Sequence, residues 1–276
     1  MNKKEVIYRA WARVAGRPWA RKLNHFLLSL GARGLGVGNS VDLSGEQRMI
    51  ERMSEIWRDM KRAPVFFDVG ANEGAYSAML RQFVPNARIY AFEPHPETGY
   101  RMKNRLKGTV NIIECAVGAK PGITTLWDYA DGRGSSHASF EKAVIETIHA
   151  SSAKGVDVRV VTLDGFCKDS GIEFVDFIKI DTEGFEADCL RGAASLIGER
   201  KVGIVQFEFN SMHALTGTLF QDMVRLLPGF QIYRILPHGW IMLDLNDIFR
   251  SHLYGIQNAV AVSPDLISSV RAIVDA

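Results

Sequence analysis

The sequence predicts an α/β domain over residues 63–276, built on a mostly parallel sheet with flanking helices, and an N-terminal helical extension over residues 1–62. Three observations carry that expectation. From residue 63 onward, short apolar runs alternate with stretches of helical periodicity, as in βαβ units. The apolar fraction is 47% and the charged fraction 23% over 276 residues, a balance that excludes collagen-like, coiled-coil and disordered organisation. The first 62 residues show helical spacing and no strand pattern.

In chain order, residues 3–31 read as helix in two pieces, with Pro18 able to open the second. Gly31, Gly34, Gly36 and Gly38 end that pattern. Met49, Ile50, Met53, Ile56 and Trp57 recur at helical spacing, which predicts a helix over 46–60 with Ser44 as its cap. Val65–Val69 is a short apolar run stopping at Gly70, as a buried parallel strand would. A helix over 74–83, a strand over 88–93, a helix over 96–106 and a strand over 111–117 follow. Strand-like segments at 124–129 and 156–163 flank a turn-rich loop at 131–136. The rhythm resumes with a strand at 174–181, a helix at 185–196 and a strand at 202–209. A helix at 220–227 and strands at 231–236 and 258–262 complete the series.

The chemistry concentrates in Asp68-Val-Gly70-Ala-Asn72-Glu-Gly74, which leaves a strand and enters a helix. Glycine permits a sharp turn and close approach to a ligand. Asn72 belongs to the few other residue types that tolerate a left-handed backbone. The G-x-G-x-x-G dinucleotide fingerprint is absent. Glu93, at the end of the next strand, is placed to accept both hydroxyls of a ribose, and Asp68 to meet a cationic or amino group. A pyrophosphate prefers bare N–H groups, so an acidic loop favours S-adenosylmethionine over a nicotinamide dinucleotide.

Together with Phe92-Glu-Pro94, Ala116-Val-Gly118, Thr162-Leu-Asp164 and Ile178-Lys-Ile-Asp-Thr-Glu-Gly-Phe-Glu186, this loop resembles the FkbM-type family of S-adenosylmethionine-dependent methyltransferases from about residue 65 to 236. The resemblance implies a Rossmann-like class I methyltransferase with a seven-stranded sheet. It implies O-methylation of a sugar, glycan or natural product. It places Gly70, Asn72 and Gly74 against the methionine part of the cofactor, Glu93 on the ribose, and Ala116 and Val117, ending the third strand, beside the adenine. Asp181 would orient the cofactor or act on the acceptor hydroxyl. Glu183 would either join it or cap the helix starting near Phe185.

A hydroxyl acceptor calls for a general base. The candidates are Asp181, Glu208, His213 and His137. Gln206, Glu208 and Asn210 share one face of their strand by period-two alternation. A competing reading gives Asp181, Glu208 and Asn210 to a divalent metal such as Mg²⁺.

The formal charge of +2 excludes a strongly basic nucleic-acid binder, and no Asn/Asp-Pro-Pro-Tyr-like loop follows the fourth strand. The total hides an asymmetry. Residues 1–35 hold eight basic residues against Glu5, a net +7, and the rest of the chain carries −5. The arm, with Trp11, Trp19, Phe26 and Leu27, reads either as a helix packed on the body or on a partner subunit, the favoured expectation, or as an interfacial helix on anionic lipid. Cys115, Cys167 and Cys189 are scattered and odd in number, as expected of buried thiols in a reducing cytoplasm. The expected location is therefore cytoplasmic, with peripheral contact to the inner membrane face if the arm binds lipid. A homo-oligomer is compatible with the sequence. The rival functions are a Rossmann oxidoreductase and a non-catalytic binding module on a methyltransferase fold.

Overall fold

The computed structural model describes residues 2–130, 134, 138–148, 150–247, 253 and 255–274. The chain starts with α1 (Lys3–Ala15) and α2 (Arg21–Gly34), joined by a 3-10 turn that Pro18 opens. α3 (Glu46–Arg58) follows. Its N-cap is not Ser44 but Gly45, at φ +80°, because a Cβ there would stand 2.1 Å from the Leu236 carbonyl oxygen.

The strands are β1 (Val65–Val69), β2 (Arg88–Phe92), β3 (Asn111–Ile113), β4 (Ala116–Val117), β5 (Gly122–Tyr129), β6 (Ala153–Val161), β7 (Val175–Ile180), β8 (Val202–Phe209), β9 (Gln231–Leu236), β10 (Gly239–Met242) and β11 (Gln257–Val262). The later helices are α4 (Ala75–Phe83), α5 (Pro96–Leu106), α6 (Leu163–Ser170), α7 (Glu186–Arg191), α8 (Ala194–Gly198), α9 (His213–Thr216), α10 (Phe220–Arg225) and α11 (Ile267–Val274).

The main sheet runs β10-β9-β11-β8-β7-β1-β2-β3. β8, β7, β1, β2 and β3 are mutually parallel, and β11 lies antiparallel between β8 and β9. These are the seven expected strands. The turn at residues 237–238 folds β10 back on β9 and adds an eighth at the edge. The segment expected as one strand over 111–117 divides: β3 ends at Ile113, the chain kinks as the Cys115 N–H turns back to the Ile113 carbonyl at 2.8 Å, and Ala116 and Val117 leave for a second sheet. That sheet, β4-β6-β5, holds both strand-like segments of the irregular middle region. The helix expected over 185–196 also breaks in two, α7 and α8.

Each face of the main sheet carries its own core. Phe67, Val69, Ile178, Ile180 and Phe207 pack under α6, α7 and α10. Phe66, Phe177 and Ile204 pack under α3, α4, α5 and α11. Trp57 of α3 is fully buried there, 4.6 Å from the Phe66 ring and 5.5 Å from that of Phe177. The expected extension is thus not one unit: α3 belongs to the core of the sheet, and α1 and α2 stay outside it, with Ala15 the single buried residue of α1 and none in α2. Arg62 closes the join, with a bidentate pair to Asp176 at 2.7 Å on both arms, while Asp176 also accepts the Val65 N–H.

Candidate active site

The parallel register brings Val69 level with Phe92 and Ile180, so the loops after β1, β2 and β7 open side by side at the carboxyl edge of the sheet, where open α/β folds bind ligands. Gly70, Asn72 and Gly74 all take positive φ (77°, 49° and 76°). A Cβ on Gly70 would lie 1.8 Å from the Asp181 carbonyl oxygen, so only glycine lets the two strand ends meet. The result is a cleft at the carboxyl edge of the sheet.

Gly70, Asn72 and Glu93 form one wall of the cleft, and Asp181, Thr182 and Glu183 the other. Cys115, Ala116 and Val117 line its apolar end. Leu126, Ala138 and Phe140 add the cover from the second sheet and its following segment. Glu93 is 7% exposed. One oxygen accepts the Asn72 N–H at 2.9 Å and the other the His95 N–H at 2.8 Å. Each oxygen keeps a lone pair for a further donor. Burial outweighs those two hydrogen bonds and lifts the carboxyl to about 7.

Other expected residues lie elsewhere. Gly74 caps α4 and faces Leu106 and Met102, where a Cβ would approach to 2.7 and 2.9 Å. Asp68 is fully buried below the cleft. One of its oxygens accepts the Ser77 hydroxyl at 2.6 Å, and the other has no hydrogen-bond partner among the described residues. Burial raises its pKa against the pull of Lys179. His213 is buried as well: Nδ1 faces the Asn210 N–H at 3.2 Å and Nε2 lies 2.7 Å from Glu186 Oε2. Both ring nitrogens therefore point into the fold, and none of the ring lines the cleft. His137 lies outside the described residues.

Glu183 does not cap α7. Its backbone is left-handed at φ 55°, its side chain turns into the cleft, and Oε2 is buried without a hydrogen-bond partner among the described residues. Glu186 holds the helix start instead, accepting the Thr182 N–H at 2.7 Å and the Gly184 N–H at 3.1 Å. Burial, then the Asp181 charge, raises the pKa of Glu183, and the same two causes in the same order raise that of Glu208.

Lys179 escaped the sequence reading, although period-two alternation puts it beside Asp181. Its ammonium lies 2.9 Å from Asp181 Oδ2 and 4.8 Å over the Tyr76 ring. Burial opposes its charge, but Asp181, Asp68 and Glu46 outweigh that and raise its pKa. Tyr76 donates its hydroxyl to Gln206, and Gln206 donates to Glu46 at 2.6 Å and to Asn258 at 3.0 Å. The donor set does not fit a divalent cation: Lys179 engages Asp181, and Asn210 donates its amide N–H to Glu208 at 2.6 Å while its amide oxygen accepts the Met212 N–H at 2.9 Å. Among the described residues no group of three or more His, Cys, Asp or Glu side chains could hold a metal.

Comparison with known proteins places this geometry. The chain is 25% identical over 193 residues to the 2-O-methyltransferase NoeI of Sinorhizobium fredii, covering 65% of this chain and 77% of that protein. It is 26% identical over 192 residues to the hexuronic acid methyltransferase AglP of Haloferax volcanii, covering 67% and 69%. It is 26% identical over 197 residues to the 31-O-demethyl-FK506 methyltransferase FkbM of Streptomyces tacrolimicus, covering 62% and 73%. The methyltransferase FkbM domain matches residues 68–234, more than half of the chain and every cleft residue named above from Gly70 to Glu183. With its Rossmann-like sheet and acid-lined cleft, the chain belongs to the FkbM family of S-adenosylmethionine-dependent methyltransferases.

Proposed function

We propose that this methyltransferase acts on a hydroxyl of a sugar, glycan or hydroxylated natural product, with the cofactor in the cleft between Gly70 and Glu183. One observation carries the reading: Asp181 and Glu183 line the cleft opposite Glu93, and the Asp181 charge reaches both Glu183 and Glu208. Burial and the Asp181 charge favour the protonated forms of Glu183 and Glu208, so these two are stronger bases than ordinary carboxylates. When bound, S-adenosylmethionine supplies an electrophilic methyl group on a sulfonium. Glu93 accepts hydrogen bonds from ribose hydroxyls, and the small Ala116 and Val117 leave space for a flat ring. Glu208 or Glu183 would take the proton of the acceptor hydroxyl, whose oxygen would receive the methyl as the sulfonium carbon–sulfur bond breaks, while the cover from Leu126 and Phe140 excludes water. Sequence relatives whose names specify O-methylation and a hexuronic acid substrate support the acceptor class. Transfer of label from methyl-labelled cofactor to a panel of glycosides and hydroxylated natural products tests it. Transfer only to amine or nucleobase acceptors would overturn it.

We further infer that residues 1–35 rest on an anionic bilayer. Leu23, Phe26, Leu27 and Leu30 fall at i, i+3, i+4 and i+7, one side of α2, and all are exposed. Trp11 (47% exposed) and Trp19 (68%) add aromatic surface, and eight basic residues flank it. The favoured expectation is packing on the body or on a partner subunit; these exposures give no support to the first and do not bear on the second. No helix among the described residues is long and apolar enough to cross a membrane. Flotation with phosphatidylcholine vesicles, with and without phosphatidylglycerol, is expected to recover the full chain on anionic vesicles only. Recovery of a chain lacking residues 1–35 to the same extent would sink the idea.

A further inference from the structure

Among the described residues the second sheet, β4-β6-β5, pairs no strand with the main sheet. Yet Leu126 of β5, with Ala138 and Phe140 from the segment after it, lines the cofactor cleft. That cover has to be held in register with the acids it faces. At the Glu183 end Ser139 does this, donating its hydroxyl to the Glu183 carbonyl at 3.1 Å. At the Glu93 end the join runs through His95.

Sequence presets the backbone of His95. It stands between Pro94 and Pro96, and a residue before proline is pushed to extended conformation. Its φ of −77° and ψ of 121° agree. Its N–H donates to Glu93 Oε1 at 2.8 Å, and its carbonyl accepts the Gly99 N–H of α5 at 2.8 Å. Although it is the N-cap of α5, its side chain makes no capping hydrogen bond. The ring lies buried against β5 instead, 2% exposed, with Nε2 3.5 Å from Asp128 Oδ2. Neither ring nitrogen has a hydrogen-bond partner among the described residues. Burying such a group costs free energy, so an apolar side chain would serve packing better. Burial lowers the histidine pKa against the pull of Asp128, so the ring is neutral near pH 7 and can offer one N–H to that carboxylate.

The partner strand is fixed at the same place. Asp128 is fully buried, and the oxygen that faces His95 also accepts the Gly134 N–H at 3.0 Å. Gly134, at φ +74°, presses on α5: a Cβ there would stand 2.2 Å from Thr98 Oγ1 and 3.0 Å from His95 Nδ1. Arg101 of α5 donates to the Gly134 carbonyl and, at 2.8 Å, to Glu73 beside Asn72. The loops after β1 and β2 and the segment after β5 thus meet on one group of side chains next to Glu93.

We propose that His95 is a positioning residue for the methyl donor: seated on Asp128, it aims the backbone N–H that fixes Glu93 and ties the cover from the second sheet to the ribose end of the cleft. The proposal rests on the cofactor placement given above.

Calorimetry of the full chain with S-adenosylhomocysteine tests it. His95→Phe fills the space without ring nitrogens and is expected to weaken binding by about fivefold or more, the scale of one buried hydrogen bond. His95→Gln can still offer an N–H to Asp128 and should recover most of that loss. A residue that acts through Glu93 is coupled to it, so in a Glu93→Gln background His95→Phe should cost less than about twofold further. Asp128→Asn should weaken binding in the same direction, and it carries the test if His95→Phe does not melt cooperatively. Wild-type affinity in His95→Phe, or in Asp128→Asn where the first variant does not fold, would overturn the proposal. An equal loss with and without Glu93 would do the same, since it marks a general effect on the fold, as would a His95→Gln no better than His95→Phe. If the unsubstituted chain binds no S-adenosylhomocysteine, the cofactor placement fails and takes this proposal with it, a result visible before any substitution is made.

Discussion

Glu93 carries two backbone hydrogen bonds, yet its carboxyl is lifted to about 7 from an ordinary 4.5. A carboxyl raised on folding stabilises the fold while protonated: its contribution is full below about 4.5 and is lost as pH rises through about 7. The melting temperature of the cofactor-free protein should therefore fall across that window, and Glu93→Gln should flatten the fall while weakening S-adenosylmethionine in calorimetry. The raised Glu208 has a kinetic counterpart. A base must be ionised, so the methylation rate should climb with pH above the ordinary carboxylate range. Glu208→Gln is expected to lower kcat by about 100-fold or more with cofactor affinity retained; an unchanged pH–rate profile in that variant would exclude Glu208 as the base. Lys179 balances Asp181 and Asp68 from inside the fold, so Lys179→Met should cost about 3 kcal/mol or more in urea unfolding, as for one partner removed from a buried ion pair. Sequence reasoning put Glu93, Asn72 and Asp181 at the cleft because each follows a strand end at the carboxyl edge of the sheet. It missed Lys179 because a buried lysine contradicts the apolar pattern that identifies the strand, and only three-dimensional packing supplies its counter-ions. It overreached at His213 for the complementary reason: proximity in sequence to a strand end says nothing about which way a ring turns.

Among the elements, those with strict periodicity were legible. β1, β8 and β9 match their expected residues, since buried strands between turn signals leave little latitude. The failures fall where geometry overrides pattern. Apolar texture runs unbroken through 111–117, and nothing local announces that Cys115 turns the chain into another sheet. α7 stops at Arg191 although helical spacing continues, and a Cβ on Gly192 would lie 2.2 Å from the Gly118 carbonyl oxygen. Close packing of a distant turn thus fixes the break. His213 and Glu186 brace α7 against β8. Glu186→Ala would strip the Thr182 and Gly184 N–H groups of their acceptor and should lower the melting temperature, with a loss of about 2 kcal/mol or more.

For the whole molecule, the division of labour follows burial. Deleting residues 1–35 removes α1, α2 and the turn between them, which bury only Ala15 and Ala20, so the melting temperature should change little. Deleting residues 1–60 removes Met49, Ile50, Met53 and Trp57 and uncovers Phe66 and Phe177. That chain should aggregate or melt far lower, since loss of one buried tryptophan side chain alone costs about 3–5 kcal/mol. Composition and charge had located a boundary near residue 35 and a texture change near residue 62, without showing that the helix between them belongs to the core.

The seating of α3 has a consequence for how such a protein can diversify. Glu46 at its start grips Gln206 of β8, and Trp57 near its end is locked between Phe66 and Phe177. The side of the sheet that α3 covers therefore shares the rigidity of the sheet. Change is accommodated more readily by exchanging single side chains on that fixed frame, or by the loops beyond it, than by shifting the helix.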